Sequence, residues 1–242
     1  MKYLIQKALG KFGYRLTDVR KIGSDPWRDV RVLLGDRPAP VFFDVGAHRG
    51  ETLAEMARQF PSAIIHGFEP DPENFAALKV VAKQFPQAQI HALALGDSSG
   101  ESKLLCNAFS MTNSLLEVDV DSKGEAFRRV GEVAVTVTTM DEFCRANGIG
   151  AIDLLKMDCQ GFDLRVLKGA AGLLEKQKVN LVMCEALFDA EYVGQGWFYE
   201  ILRHMTERGY APVAFHGLTR NAAHEINWAD VLFKKRTRAK TD

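Results

Sequence analysis

From residue 41 onward, short apolar runs alternate with stretches of helical periodicity, and that alternation constrains the fold more than any other feature. Val41–Val45 (VFFDV) is apolar almost throughout and stops at Gly46, as a strand buried on both faces does. Leu53, Met56, Ala57 and Phe60 follow at helical spacing, and Pro61 ends that helix. Residues 63–69 (AIIHGFE) predict a second strand, Phe75, Leu78 and Val81 mark one helix face, and residues 89–95 predict a third strand. Residues 96–140 interrupt the rhythm with a GDSSGE turn, strands at KLLCN and VAVTVTT, and a long loop between them. Regularity resumes with residues 152–158 (IDLLKMD), a helical stretch through Leu164, Leu167 and Leu174, and residues 180–185 (NLVMCE). A helix around Phe198, Ile201, Leu202 and Met205 ends at Gly209, and strands at 211–215 and 228–233 close the pattern.

Strands separated by helices give right-handed crossovers, hence an α/β fold with a doubly wound, mostly parallel sheet covered by helices on both faces. The last two strands are joined without a helix, so one of them runs antiparallel near the sheet edge. The expected organisation is a helical extension over residues 1–40 that packs on the core, a domain over 41–233, and a basic, mobile tail over 234–242.

The chain has 242 residues, 31 basic and 31 acidic, and the balance argues against bulk charge binding of nucleic acid. The charge is uneven, however. Residues 1–37 carry +5 and residues 234–242 carry +4, so the middle carries −9. Basic ends allow a weak peripheral contact with an anionic membrane, although a pair of solvated termini is the simpler account. The N-terminus has apolar residues at helical spacing with Lys7 and Lys11 between them, unlike a signal peptide or a spanning helix. Four cysteines (106, 144, 159 and 184) have neither CxxC nor zinc spacing. Free thiols of this kind fit a reducing compartment, so a cytoplasmic location is expected.

In such sheets ligands bind at the carboxyl ends of the strands, near the point where strand order reverses. The first strand runs into D-V-G-A-H-R-G-E-T, whose Gly46 and Gly50 permit a tight turn and close backbone approach before a helix N-terminus. Glu69 ends the second strand and is followed by a turn containing Pro70 and Pro72. A carboxylate placed there accepts hydrogen bonds from both hydroxyls of a ribose, so a nucleoside cofactor is expected. A dinucleotide fingerprint needs glycine where His48 stands, because the backbone must touch a pyrophosphate. That favours S-adenosylmethionine over NAD, and leaves an NAD-dependent oxidoreductase as the alternative enzyme reading.

The segments VFFDVGAHRGET, FEPDPENF, ALGDSSGE, NSLL, VTTMDEF, IDLLKMDCQGFDLRVLKGA, EALFDAEYVGQ and WADVLF together resemble the FkbM family of S-adenosylmethionine-dependent methyltransferases, over about residues 41–233. The resemblance implies a class I (Rossmann-like) methyltransferase fold with a seven-stranded sheet and one reversed strand. It also implies O-methylation of a small-molecule or glycan acceptor, on a hydroxyl of a sugar or of a secondary metabolite. His48 departs from the asparagine usual in that family. The resemblance further implies that Gly46, Ala47, His48 and Gly50 line the methionine end of the cofactor, with Thr52 just beyond them. Asp44 then binds the ammonium or caps the glycine turn, Glu69 holds the ribose, and Phe68 or Pro70 flanks adenine. Ala94, Leu95 and Asp97 follow the third strand toward adenine, though a turn role is the alternative for Asp97.

An aliphatic hydroxyl is a poor nucleophile and gains from a general base. Asp158, Glu185 and Asp230 end neighbouring strands and are the candidate catalytic carboxylates. Asp158 is also a cofactor-side candidate. They could also offer oxygen ligands to a divalent cation, but no metal site is assigned. The competing structural roles are capping of the next helix by Asp158 and pairing of Glu185 with Lys156. His216 and His224 flank the last hairpin as weaker base candidates. Tyr192, Gly194 and Gln195, and the 107–131 segment with Thr112, Asn113 and Ser114, are candidate walls over the acceptor, the latter as a mobile lid. A non-catalytic binding module on the same fold is the third reading. The oligomeric state is not encoded in any of these motifs.

Overall fold

A computed structural model describes residues 2–14, 18–119 and 124–236. In chain order these form α1 (Lys2–Gly10), α2 (Pro26–Leu34), β1 (Val41–Val45), α3 (Glu51–Gln59), β2 (Ile64–Phe68), α4 (Pro72–Ala82), β3 (Ala88–His91) and β4 (Ala94–Leu95). There follow β5 (Gly100–Asn107), β6 (Arg129–Thr138), α5 (Met140–Ala146), β7 (Ile152–Met157), α6 (Asp163–Gly169) and α7 (Ala171–Glu175). The last elements are β8 (Val179–Leu187), α8 (Phe198–Glu207), β9 (Tyr210–His216) and β10 (Trp228–Lys235).

Seven strands form one sheet in the order β3-β2-β1-β7-β8-β10-β9. Every pairing among the first five is parallel, while β10 is antiparallel to both β8 and β9. The single reversed strand therefore lies one place in from the edge, as the short final connection requires. The chain leaves β1 toward β2 and β3, then returns to β7 on its other side. The strand order reverses between β1 and β7, and a crevice opens there beyond their carboxyl ends.

The expected third strand differs. Residues 89–95 do not form one strand: β3 stays in the main sheet, whereas β4 leaves it to pair with β6 in a three-stranded sheet, order β4-β6-β5. Both pieces are apolar enough for either sheet, so the run of residues carries no signal of the break.

Successive residues of β1 point to opposite faces, and Phe42 and Phe43 are each fully buried in a different half of the core. On one face Phe43 packs with Phe68, Met157 and Val166. On the other Phe42 packs with Leu53, Met56, Ile65 and Leu154. Within the N-terminal extension, α2 packs on this second half through Val30, with Trp27, Leu33 and Leu34 beside it. Tyr3 and Ile5 of α1 stand exposed, as do Phe12 and Tyr14 beyond it. Among the described residues no helix is long and apolar enough to cross a membrane. Residues 237–242, most of the basic tail, lie outside the described residues.

Candidate active site

The β1–α3 bend is built on backbone that only certain residues accept. Gly46 has φ +79°, and a Cβ there would stand 2.1 Å from the backbone oxygen of Asp158. Glycine is required because the β7–α6 turn presses against the bend at that point. The Gly46 and Ala47 N–H groups both donate to the Phe68 carbonyl, at 3.0 and 2.9 Å, and so tie the bend to β2.

Glu69 completes the bend from the other side. Its Oε2 accepts the backbone N–H of His48 at 2.8 Å, and its Oε1 accepts that of Asp71 at 2.8 Å. Asp71 in turn caps α4 by accepting from the N–H groups of Glu73 and Asn74. The carboxylate is thus fixed in orientation while each oxygen keeps a second lone pair. Burial raises its pKa to about 7 against the lowering effect of the two backbone donors.

Between β1, β2 and β7 lies a cleft enclosing about 740 Å³, open mouth included. Gly46, His48, Phe68, Glu69, Pro70, Ala94, Leu95 and Asp158 line it, eight of the residues expected there. Asp97 does not: it is exposed in the bend after β4. Ala47, Gly50 and Thr52 shape the bend and helix start without lining the cleft. Asp44 is buried, and neither carboxylate oxygen has a hydrogen-bond partner, so it does not cap the turn; Glu69 does. Burial, opposed by Lys156, raises the Asp44 pKa to about 7.

Asp158 on the cleft lining, with Glu185 and Asp230 behind it, gathers around a residue the sequence reading gave no functional role. Lys156 is buried on β7, beside Asp44 in the β1 register. Burial works to discharge it, but Asp158, Asp230, Asp44 and Glu185 outweigh burial and hold the ammonium firmly charged. Its Nζ lies 3.3 Å from Asp158 Oδ2. The expected alternative pairing of Lys156 with Glu185 is therefore replaced by Lys156 with Asp158. Asp158 does not cap α6 either: Phe162 stands at its N-cap position and no side chain makes a cap hydrogen bond there.

Burial pushes the Asp158 carboxyl up, yet Lys156 and the Gln160 amide more than offset it and leave Asp158 below its ordinary value. Glu185 is driven well above its ordinary range by burial and by Asp158, and Asp230 is raised chiefly by burial. Asp230 faces Glu185 across the β10–β8 register. Neither lines the cleft directly. Among the described residues no three His, Cys, Asp or Glu side chains are grouped to hold a metal ion.

The 107–131 segment supplies one wall: Ser110, Met111, Asn113 and Ser114 line the cleft. Ser110 Oγ is 2.9 Å from His48 Nε2, and Asn113 donates to Asp71 Oδ2 at 3.0 Å. Thr112 is buried behind this wall. Tyr192 is buried against it, its Oη 3.1 Å from the Thr112 carbonyl and 2.8 Å from Gln160 Oε1. Gln195 organises the loop around Tyr192, and Gly194 stands next to it with φ +74°. The two histidines lie elsewhere. His216 is buried on β9 with Nε2 3.5 Å from Asp29 of α2, and His224 sits exposed in the β9–β10 loop. Neither reaches the cleft lining.

A family model, the methyltransferase FkbM domain, matches residues 44–212, well over half of the chain. The 31-O-demethyl-FK506 methyltransferase FkbM of Streptomyces tacrolimicus is 28% identical, over 55% of this chain and 60% of its own length. The 2-O-methyltransferase NoeI of Sinorhizobium fredii is 24% identical, over 61% and 64%. The chain thus spans about three fifths of the length of these two relatives. Methyltransferase sdnD of Sordaria araneosa is 29% identical, over 69% and 71%. Among solved structures, the METTL16 MTase domain superposes with a TM-score of 0.50 at 10% identity, covering 98% of this chain and 80% of that one, a likeness of fold alone. With the sheet order and the bend geometry in place, the chain belongs to the FkbM methyltransferase family.

Proposed function

We propose that this protein is an S-adenosylmethionine-dependent O-methyltransferase acting on a hydroxyl of a sugar, a glycan or a secondary metabolite. The observation that carries the reading is Glu69: a carboxylate locked by His48 and Asp71, facing the cleft beside a glycine bend. The residues present fit the cofactor. Glu69 keeps a free lone pair on each oxygen for ribose hydroxyls, and Phe68, Pro70, Ala94 and Leu95 offer apolar walls for adenine. Gly46 lines the cleft, and Asp44 is a buried carboxylate without a hydrogen-bond partner, suited to an ammonium. When bound, the sulfonium supplies an activated methyl group. O-methylation is favoured by the names of two relatives, which act on oxygen.

On the acceptor side Asp158 lines the cleft and stays charged, so it is placed to accept a hydrogen bond from the hydroxyl and orient it. Asp158 is also the carboxylate that can take the hydroxyl proton as the new O–methyl bond forms, while Glu185 and Asp230, which bind a proton more readily, stand behind it off the cleft lining. The NAD alternative is set aside by membership in a methyltransferase family and by His48, which occupies the place where a pyrophosphate site needs glycine.

Calorimetry with S-adenosylhomocysteine tests the reading. The unaltered protein is expected to bind, and Glu69→Ala to weaken binding by about 1–3 kcal/mol, the cost of unpaired polar partners. Absence of binding by the unaltered protein, or a larger thermal shift with NADH, overturns it. Binding without turnover on any hydroxyl acceptor indicates the non-catalytic module instead.

A further inference from the structure

The β7–α6 turn holds a residue that links four segments of the molecule. Gln160 Nε2 donates to Asp158 Oδ1 at 2.8 Å and to Glu185 Oε2 at 3.1 Å, while its Oε1 lies 2.8 Å from Tyr192 Oη. Its backbone oxygen accepts from Ser114 Oγ at 2.7 Å, so the wall segment is tied to the same residue. We infer that Gln160, oriented by Tyr192, is a positioning residue that clamps Asp158 and Glu185 into one hydrogen-bonded pair beside the acceptor.

The orientation of the amide follows from its surroundings. Turned around, its oxygen would face two carboxylates and both hydrogen bonds would be lost. The two carboxylates set the orientation, and buried Tyr192 supports it by donating its one O–H to Gln160 Oε1 at 2.8 Å, the shorter of its two contacts, with the Thr112 carbonyl at 3.1 Å. The loop bearing Tyr192 is itself fixed: Gln195 Oε1 accepts the N–H groups of Glu191 and Tyr192, and Gly196 N–H donates to the Gly161 carbonyl.

The backbone is shaped for this contact. Gln160 has φ +49°, a left-handed conformation that is strained for a non-glycine residue and persists only where the surroundings enforce it. Gly161 follows at φ +84°, and a Cβ there would come within 3.1 Å of Tyr192 Cδ2. The missing side chain is what lets the tyrosine reach the turn.

A neutral clamp has a chemical consequence. The groups facing Glu185 are Asp158 and Lys156 on β7, Asp163 on α6, Glu191 in the following loop, and Asp230 on β10. One ammonium stands among five carboxylates. A cationic clamp would hold both Asp158 and Glu185 ionised, whereas an amide supplies two N–H donors without charge and leaves Glu185 able to take a proton. Among the described residues nothing donates to Glu185 Oε1. The role in the reaction rests on the function proposed above; the clamp itself rests on the hydrogen bonds.

The test needs no acceptor. In full-length protein carrying ¹³C-labelled Asp and Glu carboxyls, the Glu185 signal is assigned with Glu185→Gln and titrated. Gln160→Leu is expected to raise the Glu185 midpoint by about one pH unit, through loss of a donor to the charged form. Tyr192→Phe is expected to raise it by a smaller amount, and it carries the test if Gln160→Leu does not fold. S-adenosylhomocysteine affinity should change by less than about threefold in either variant. Midpoints within about 0.2 units of the unaltered protein overturn the clamp. Failure of the unaltered protein to bind S-adenosylhomocysteine overturns the function reading alone, because the titration is read independently.

Discussion

Asp44 and Glu69 are carboxyls with pKa near 7 for the same main reason, burial, yet they are solvated differently by the protein. Glu69 has two backbone donors and Asp44 has none. A carboxyl raised in the folded state binds its proton more tightly there than in the unfolded chain. Its stabilising contribution is full below about pH 4 and is lost as pH climbs through about 7. Asp44→Asn keeps the shape and removes the ionisation, so it should stabilise the unliganded protein. That gain should grow by about 1–3 kcal/mol between pH 5 and pH 8, measured by chemical unfolding at both. The same residue gives a second readout. An ammonium beside Asp44 favours the charged carboxylate, so S-adenosylhomocysteine binding at pH 6 should release a proton. Calorimetry in buffers of different ionisation enthalpy detects that release, and Asp44→Asn should abolish it. Glu69 was legible in the sequence because strand end, acid and proline turn coincide. Lys156 and Gln160 were not, since their importance comes from β8 and the Tyr192 loop, more than twenty residues away in the chain.

At the scale of elements, the pattern located every strand of the main sheet, most plainly the central ones, whose burial on both faces leaves apolar runs. It failed where two sheets meet, as at residues 92–93, since an apolar run looks alike in either sheet. Turns were legible only as glycine and proline positions. Coordinates add which glycines are constrained by contact as well as by conformation. Gly46 and Gly148 both have positive φ, but a Cβ on Gly46 overlaps the Asp158 carbonyl, whereas one on Gly148 meets nothing within 4 Å. Gly148→Ala should therefore cost about 1–2 kcal/mol, the conformational strain alone. Gly46→Ala adds displacement of the β7–α6 turn and should cost more than about 3 kcal/mol. It should also abolish S-adenosylhomocysteine binding, because it displaces the bend itself and Asp158, both on the cleft lining. Thermal unfolding and calorimetry of the two variants separate strain from overlap.

For the whole molecule, sheet order makes the site: β1 and β7 are adjacent in space but separated by over a hundred residues, and the crevice exists only once they pair. Sequence alone placed both strands, while the pairing that joins Asp44 to Lys156 is a property of the assembled sheet. The N-terminal extension shows the opposite case, a region whose two helices differ in how far they belong to the assembly. Val30 of α2 is fully buried, and Asp29 beside it accepts from the Gly23 N–H and approaches His216 of β9. Those contacts fasten the extension from Gly23 onward to the far edge of the sheet. Tyr3 and Ile5 of α1, by contrast, add little burial. Removing residues 1–14 should shift the melting temperature by less than about 2 °C, since exposed side chains contribute little to the core. Val30→Ala, which leaves a small cavity under α2, should lower it by about 4–8 °C at a cost of roughly 2 kcal/mol. A large loss on truncation would show that α1 packs in solution, and the fold would then have to be read as beginning at its first helix.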